Sequence, residues 1–141
     1  MNKVIGYTTG VFDLFHIGHL NILKRAKENC DYLIVGVTVD ELVSYKGKRA
    51  FIPYEERAEI VSAIKYVDEV VPQVSMDKMA AWKKYHFNKM FVGDDWKGTD
   101  VWNNIEKEFS DIGVEIVYFP YTKQTSSTEL REALTNLKHY R

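Results

Sequence analysis

This sequence of 141 residues lacks several features that mark whole classes of protein. It has one cysteine, Cys30, which excludes an internal disulfide and predicts a reducing, cytoplasmic location. No stretch approaches the roughly 20 apolar residues of a membrane span, and the amino-terminal run, broken by Thr8 and Asp13, does not predict a signal peptide. The formal net charge of -1 gives no overall field for nucleic acid. We therefore expect neither a membrane nor a nucleic-acid partner.

Two common phosphate-binding motifs are absent as well. The sequence has no G-x-x-x-x-G-K-[ST], which excludes a P-loop, and no G-x-G-x-x-G, which excludes the dinucleotide fingerprint. No Ser/His/Asp set is evident either, and Cys30 lies at a predicted helix end, where a core position is expected. Any phosphate chemistry must therefore use a different arrangement of residues.

Apolar residues, which make up 45% of the chain, predict five strands that alternate with helices. The strands are expected at 3–9, 32–38, 68–71, 89–92 and 114–119, and the helices at 17–29, 39–45, 53–64, 76–85, 101–109 and 126–137. Pro72 is expected to stop the third strand. This alternation predicts an α/β fold, a Rossmann-like doubly wound parallel sheet of five strands with helices on both faces. We expect one domain over residues 1–141.

The unusual segments of the sequence follow predicted strands. They are 16–19 after the first strand, 46–49 beyond the second, 93–96 after the fourth and 121–128 after the fifth. The carboxyl ends of parallel strands meet at one edge of the sheet, and ligands of such sheets bind there. The topology therefore predicts one rim on which all four segments converge.

The segment Thr8–His19, TTGVFDLFHIGH, joins the first strand to the first helix. His16 and His19 are three residues apart, so both lie on one side of the first helical turn, where backbone N–H groups and the positive end of the helix dipole favour anions. Gly18 leaves room for a ligand near the backbone. The alternatives are two histidines that only cap a helix, or a zinc pair. Zinc is disfavoured because no nearby cysteine or second histidine pair completes a ligand set.

Such residues suit the transfer of a nucleotide from a triphosphate to a phosphate monoester. The acceptor phosphate is itself an anionic nucleophile, so the protein needs no serine or cysteine nucleophile. It needs alignment and donors aimed at the charge that grows on the phosphoryl oxygens. His16, His19, Lys46 and Lys48 are donors of this kind.

Residues 10–19, GVFDLFHIGH, resemble the nucleotidyltransferase superfamily and its cytidylyltransferases in particular. Nearly the whole chain resembles the bacterial glycerol-3-phosphate cytidylyltransferases. Further similar segments are the Lys-x-Lys of 46–48, YEER at 54–57, KYVDEV at 65–70 with Lys in place of Arg, and GDDW at 93–96. The resemblance implies transfer of CMP from CTP to glycerol 3-phosphate, with CDP-glycerol and pyrophosphate as products. It also implies Mg²⁺ with the CTP, a homodimer, and a role in making precursors of cell-wall or capsule polysaccharides.

The same resemblance implies roles for individual residues. The catalytic residues would be His16, His19 and Lys46, and the substrate phospho-alcohol would contact Lys46, Arg57 and Lys65; the metal ligands stay unknown. The nucleotide would contact Val11, Phe12, His16, His19, Lys48, Gly93, Asp94, Thr122, Lys123, Ser126, Ser127 and Thr128.

The chain departs from the family at residues 121–128, where YTKQTSST stands in place of RTEGISTT. Tyr121 replaces the arginine that grips the triphosphate, and Lys123 could supply the charge without a bidentate fork. The acceptor is therefore open to alternatives such as choline phosphate or another polyol phosphate, and the donor to ATP. A noncatalytic nucleotide-binding module is a further alternative, against which the intact His16 and His19 argue.

Several residues near these motifs have ordinary structural explanations. Asp13 is expected to orient the turn by hydrogen bonding rather than to bind Mg²⁺. Asp94 and Asp95 could equally cap the next helix or contact the nucleotide. The three tryptophans are expected in the core or an interface rather than stacked on a base; they are Trp82, Trp96 and Trp102.

Overall fold

The computed structural model describes residues 3–45, 49–120 and 127–138. Its five strands form one parallel sheet in the order β3-β2-β1-β4-β5. The strands are β1 (Ile5–Gly10), β2 (Tyr32–Thr38), β3 (Glu69–Gln73), β4 (Lys89–Gly93) and β5 (Glu115–Phe119). The chain moves outward from β1 to β3 on one side and then crosses to β4 on the other side. The crevice between β1 and β4 is therefore the point where ligands of such sheets bind.

Helices cover both faces of the sheet, as the sequence predicted. They are α1 (Ile17–Glu28), α2 (Asp40–Tyr45), α3 (Tyr54–Ser62), α4 (Lys78–Tyr85), α5 (Asp100–Asp111) and α6 (Ser127–Lys138), with a short 3₁₀ helix over Asp94–Trp96. One apolar cluster joins Leu23 of α1 and Val61 of α3 to the sheet. A second cluster joins Trp102 and Phe109 of α5 to the sheet. Successive strand residues contribute to opposite clusters, which explains the nearly continuous apolar run of β2.

The prediction that Pro72 stops the third strand is wrong. β3 continues through Pro72 to Gln73, and Pro72 pairs with Val37 of β2. Proline lacks a backbone N–H, but β3 is an edge strand with a single neighbour, so the N–H is not needed for a second strand. The extension matters because it brings Gln73 to the carboxyl edge of the sheet.

The other predicted boundaries agree with the structure to within two residues. The fourth helix begins at Lys78 rather than Met76 because the Asp77 carboxylate accepts a hydrogen bond from the Ala80 N–H and caps the helix. Of the capping pattern predicted at 126–129, Ser126 lies outside the described residues, and residues 127–129 are described by their helical backbone alone.

Candidate active site

The turn between β1 and α1 is held in an unusual backbone conformation. Phe12 and Leu14 have φ angles of 54° and 50°, in the left-handed region that costs energy for residues other than glycine. Between them, the buried Asp13 carboxylate accepts hydrogen bonds from the backbone N–H groups of Phe51 (2.8 Å) and Ile52 (2.9 Å). Asp13 therefore makes hydrogen bonds, as expected, but it fixes the turn to a distant segment that follows the predicted basic loop.

Arg57 ties the same turn to the rest of the sheet edge. Its guanidinium is 1% exposed and donates to the carbonyl oxygens of Val11 (2.7 Å), Thr38 (2.8 Å) and Ile52 (2.8 Å) and to Asp40 Oδ1 (2.6 Å). A planar fork with five donors can hold these four partners at once, which a lysine could not. Arg57 thus binds groups of the protein itself. Its predicted direct contact with the substrate stays a prediction.

Asp40 completes this connection at the start of α2. Burial alone would raise the pKa of Asp40, but the Tyr54 backbone N–H and the Arg57 guanidinium outweigh burial and hold the pKa below its ordinary value. The Asp40 carboxylate therefore stays charged at neutral pH and anchors both Arg57 and the first residue of α3.

The two histidines cap α1 with their own rings. His16 Nδ1 accepts the Gly18 backbone N–H at 3.0 Å, and His19 Nδ1 accepts the His16 backbone N–H at 3.3 Å. The rings stack with their centroids 4.0 Å apart. In a neutral imidazole whose Nδ1 accepts, the proton is on Nε2, so Nε2 is the donor atom of each ring. Helix capping and a phosphate site are therefore one arrangement here and not alternatives.

Both imidazoles are neutral at pH 7. Burial lowers the pKa of His16 below its ordinary value. Burial, and secondarily the neighbouring His16, lower the pKa of His19 to about 4, although the Asp13 carboxylate opposes this shift. Phe12 and Phe15 contribute to the burial, since their rings lie 5.4 and 5.2 Å from the His19 ring. The site therefore presents dipoles aimed at an anion rather than fixed positive charges.

A cavity of about 680 Å³ opens at the carboxyl edge of the sheet, within the size range of small-molecule sites. Residues of β1 and the start of α1 line it. The strand order places residues 93–96 and 119–120 on one side of β1 and residues 38 and 73 on the other, and Met76, Lys78 and Trp102 line the cavity as well. The predicted convergence of 16–19 with 93–96 is confirmed. The other two predicted segments, 46–49 and 121–128, lie mostly outside the described residues, which omit 46–48 and 121–126.

A family model described as cytidylyltransferase-like matches residues 7–133. The chain belongs to this family. The glycerol-3-phosphate cytidylyltransferase of Bacillus subtilis (strain 168) is 39% identical over 138 residues, which cover 97% of this chain and 100% of that protein. The FAD synthase of Pyrococcus horikoshii is 39% identical over 119 residues, which cover 79% of this chain and 77% of that protein.

Among solved structures, a lipopolysaccharide core biosynthesis protein of Thermoplasma volcanium GSS1 matches with a TM-score of 0.73 at 24% identity, over 88% of this chain and 100% of that chain. That similarity supports the fold alone. The full-length similarity to glycerol-3-phosphate cytidylyltransferases identifies this family member as a nucleotidyltransferase enzyme. No helix among the described residues is long and apolar enough to cross a membrane.

Several residues predicted to bind the nucleotide line this enzyme's cavity. Val11, Gly93 and Asp94 lie on its wall, and Phe12 lines an adjoining pocket of about 260 Å³. Gly10, just before them, could not carry a side chain, because its Cβ would lie 2.8 Å from the Phe12 ring. The structure thus brings these four predicted residues to the histidines, and their contact with a nucleotide stays a prediction.

Other predicted site residues are not brought to the cavity. Lys65 lies on the exposed segment before β3, because residues that precede a parallel strand are at the amino edge of the sheet, opposite the cavity; its ammonium sits 5.3 Å from the Tyr66 ring. The expected contact of Lys65 with a substrate in this chain's own cavity is therefore not supported. The predicted residues outside the described ranges are Lys46, Lys48, Thr122, Lys123 and Ser126; for Ser127 and Thr128 only the helical backbone is described.

Sequence reasoning missed the cavity residues that follow β2 and β3. They are Thr38, Gln73, Met76 and Lys78. No motif surrounds them, but two of them end strands of the predicted parallel sheet. That position was the available signal, and the wrong end assigned to the third strand hid Gln73.

Proposed function

We propose that this enzyme transfers the CMP group of CTP to glycerol 3-phosphate, which yields CDP-glycerol and pyrophosphate. A phosphate oxygen of the acceptor attacks the α-phosphorus of CTP, and the bond from that phosphorus to the bridging oxygen of the β-phosphate breaks. Both electrons of that bond leave with pyrophosphate. The glycerol-3-phosphate cytidylyltransferase of Bacillus subtilis, which this chain matches over nearly its full length, supports this choice of substrates.

One observation carries the proposal. The two stacked, neutral imidazoles are fixed through Nδ1 to the start of α1 and line the cavity. Their Nε2–H donors stabilise charge on the transferred phosphoryl group and on pyrophosphate as the bond breaks. Donors fixed beforehand lose little energy to reorganisation when that charge develops. Because the rings are neutral, they do not bind the ground-state triphosphate as strongly as two cations would.

The cavity also fits the two substrates on either side of the histidines. Gly93 and Asp94, which are predicted to contact the nucleotide, lie at the end of β4 and just after it on one side. The residues that end β2 and β3 lie on the other side, next to α2, which leads into the predicted phosphate loop with Lys46 and Lys48. This arrangement supports the nucleotide on the β4 side and the acceptor on the β2 and β3 side.

Mg²⁺ fits this site as an ion that arrives with the nucleotide. Among the described residues, no group of three or more His, Cys, Asp or Glu could hold a metal alone. Mg²⁺ commonly binds through one or two carboxylates, waters and substrate phosphates, and within the described ranges Asp94 and Asp95 are the carboxylates that line the cavity. When bound, Mg²⁺ neutralises triphosphate charge. Asp13 is a poorer candidate, since both of its oxygens accept backbone N–H groups.

Measurement of pyrophosphate release tests the proposal. We expect the fastest release with CTP and glycerol 3-phosphate, and less with ATP or with choline phosphate. Because FAD contains an adenylyl group, the similarity to an FAD synthase makes ATP the alternative donor to compare. Equal turnover with CTP and ATP, each at saturation with the best acceptor, would contradict the assigned donor. The absence of pyrophosphate release that depends on the acceptor would contradict the function itself.

The resemblance to homodimeric enzymes and the reducing location inferred from Cys30 lead to two further proposals. We expect a dimer by light scattering at micromolar concentration, and a cytoplasmic pool in fractionated cells. A monodisperse monomer with full activity would contradict the first of these.

A further inference from the structure

Two neutral polar residues lie side by side where β2 and β3 end at the cavity. Thr38 is the last residue of β2 and pairs in register with Gln73, the last residue of β3. The Thr38 hydroxyl donates a hydrogen bond to Gln73 Oε1 at 2.6 Å. Thr38 is 2% exposed and Gln73 6%, and both line the cavity. The two side chains are therefore held in place by each other in the cavity wall.

The amide nitrogen of Gln73 has a poor partner within the protein. Among the described residues, its hydrogen-bond acceptor is Met76 Sδ, at 3.7 Å. A thioether sulfur is a weak acceptor, whereas the amide group carries two N–H donors. A buried donor without a good acceptor costs free energy. The tie between β2 and β3 explains the bond to Gln73 Oε1, but it does not explain a buried amide nitrogen in this position.

Apolar side chains make up most of the surroundings of this pair. Residues two apart in a strand face the same side, so Gln73 lies on the face of Val71, which belongs to the second apolar cluster. The cavity residues that belong to this cluster or pack against it are Met90, Val92, Trp102 and Ile105. In such surroundings a hydrogen bond to a ligand is strong, and a polar group left without a partner is costly.

The pair offers one donor and one acceptor to a ligand. The Thr38 proton is engaged with Gln73 Oε1, so Thr38 Oγ1 keeps lone pairs that can accept, while Gln73 Nε2 can donate. An alcohol hydroxyl is itself both a donor and an acceptor, and can therefore satisfy both groups. Neither side chain carries a charge, so the pair suits an uncharged alcohol.

We propose that Gln73, held by Thr38, determines specificity by binding a hydroxyl of the acceptor's tail. β2 lies beside β1 and β3 lies one strand further, so the two residues end strands about 5 and 10 Å from the strand that leads to the histidines. With the acceptor phosphate at the histidine turn, its tail extends toward β3. This inference rests on the proposed function and on the acceptor lying on the β2 and β3 side of the cavity.

The test compares two acceptors that share a phosphate monoester and a three-carbon chain. Glycerol 3-phosphate carries two hydroxyls on that chain, and n-propyl phosphate carries none. With CTP saturating, kcat/KM is measured for both in the wild type, Gln73→Met and Thr38→Val. Gln73→Met keeps the length of the side chain and removes the amide. The ratio of the two kcat/KM values cancels effects on the shared phosphate and on the histidines.

We expect the wild type to prefer glycerol 3-phosphate by roughly tenfold or more, because a site built to bind a hydroxyl rejects the analogue that lacks it. The preference should fall roughly tenfold in Gln73→Met and several-fold in Thr38→Val, as expected for the loss of a buried hydrogen bond. The double variant should lose less than the product of the single losses, because both side chains bind one hydroxyl.

Asn104→Leu is the matched control. It removes an exposed amide of α5 that does not line the cavity, so the preference should stay at the wild-type value. Circular dichroism confirms that each variant is folded, and Thr38→Val carries the test if Gln73→Met does not fold.

An unchanged preference in a folded, active Gln73→Met enzyme overturns the role of Gln73 and leaves the proposed function standing. A higher KM for CTP with an unchanged preference does the same and moves Gln73 to the nucleotide. A wild type that uses both acceptors equally well also overturns the role, since no hydroxyl is then recognised. A wild type without pyrophosphate release that depends on the acceptor refutes both the role and the proposed function.

Discussion

Two turns meet at the cavity of this enzyme, and they are built in opposite ways. The turn after β1 is buried: Asp13 is 1% exposed and Phe12 6%. Hydrogen bonds from residues far along the chain hold the Asp13 carboxylate and the Val11 carbonyl oxygen. The turn after β4 is one turn of 3₁₀ helix, Asp94–Trp96, and its Trp96 is 58% exposed.

The difference matches the tasks that we assign to the two turns. Donors that stabilise a transition state must be fixed before the charge develops, because reorganisation costs energy. A turn that only contacts the bound nucleotide can tolerate local adjustment, since binding energy comes from many small contacts. The buried turn also stores backbone strain at Phe12 and Leu14, which persists only because the surrounding hydrogen bonds hold it.

The largest expected effect comes from removal of the tie that fixes the first turn. Arg57→Leu leaves the Val11, Thr38 and Ile52 carbonyl oxygens and the Asp40 carboxylate without their shared donor. We expect a loss of about 3 kcal/mol or more in the free energy of unfolding, measured in urea. The exposed Arg25→Leu serves as the control. A loss below about 1 kcal/mol would mean that the turn holds itself.

The next largest effect is expected on the chemical step. His16→Ala and His19→Ala should each lower kcat by about a hundredfold or more and change KM little, by analogy with loss of one oxyanion donor. The double variant should lose less than the product of the single losses, because both rings act on one charge. Steady-state kinetics with circular dichroism to confirm folding decide the matter. A folded His19→Ala enzyme with near-normal kcat would remove the role assigned to this turn.

A third prediction uses the low pKa of His19. The folded pKa of about 4 lies below the ordinary value of 6.5, so the unfolded chain binds the additional proton between these values. This contribution to stability is fully present above pH 6.5 and is lost as the pH falls to 4. The wild type should therefore lose roughly 1–3 kcal/mol more than His19→Gln across that window.

Urea unfolding at several pH values measures this difference, and the exposed His86→Gln controls for the loss of a histidine as such. Wild-type and His19→Gln stabilities that fall in parallel would show that His19 does not titrate differently in the folded state.

The smallest effect is expected at the exposed turn. Trp96→Ala should raise the KM for CTP several-fold at most and leave kcat unchanged. The free energy of unfolding should change by less than about 0.5 kcal/mol, as is usual for exposed positions. Initial rates at varied CTP and a urea curve give both quantities. A large loss of stability would show that this turn is as tightly built as the first.

The sequence alone predicted most of the fold because periodic apolar runs report burial directly. Tyr32–Thr38 was predicted with both boundaries correct, since an apolar run of 7 residues rich in β-branched side chains is the length of a strand and short for a buried helix. Pro72 was misread because an edge strand tolerates proline, and whether a strand is at the edge depends on the order of strands in the sheet.

The sequence also determined that His16 and His19 share one side of the first helical turn, because local helix geometry fixes that relation. Only the tertiary structure decided the state and surroundings of those rings. The pKa of His19 depends on burial by Phe12 and Phe15, and the shape of the turn depends on Arg57 and on backbone groups nearly forty residues away from Asp13. Lys78 comes about sixty residues after the histidines in the chain. It lines the same cavity because it follows β3, whose carboxyl end lies beside that of β2. Contacts between distant segments follow from the order of the strands, and no local pattern of residues records that order.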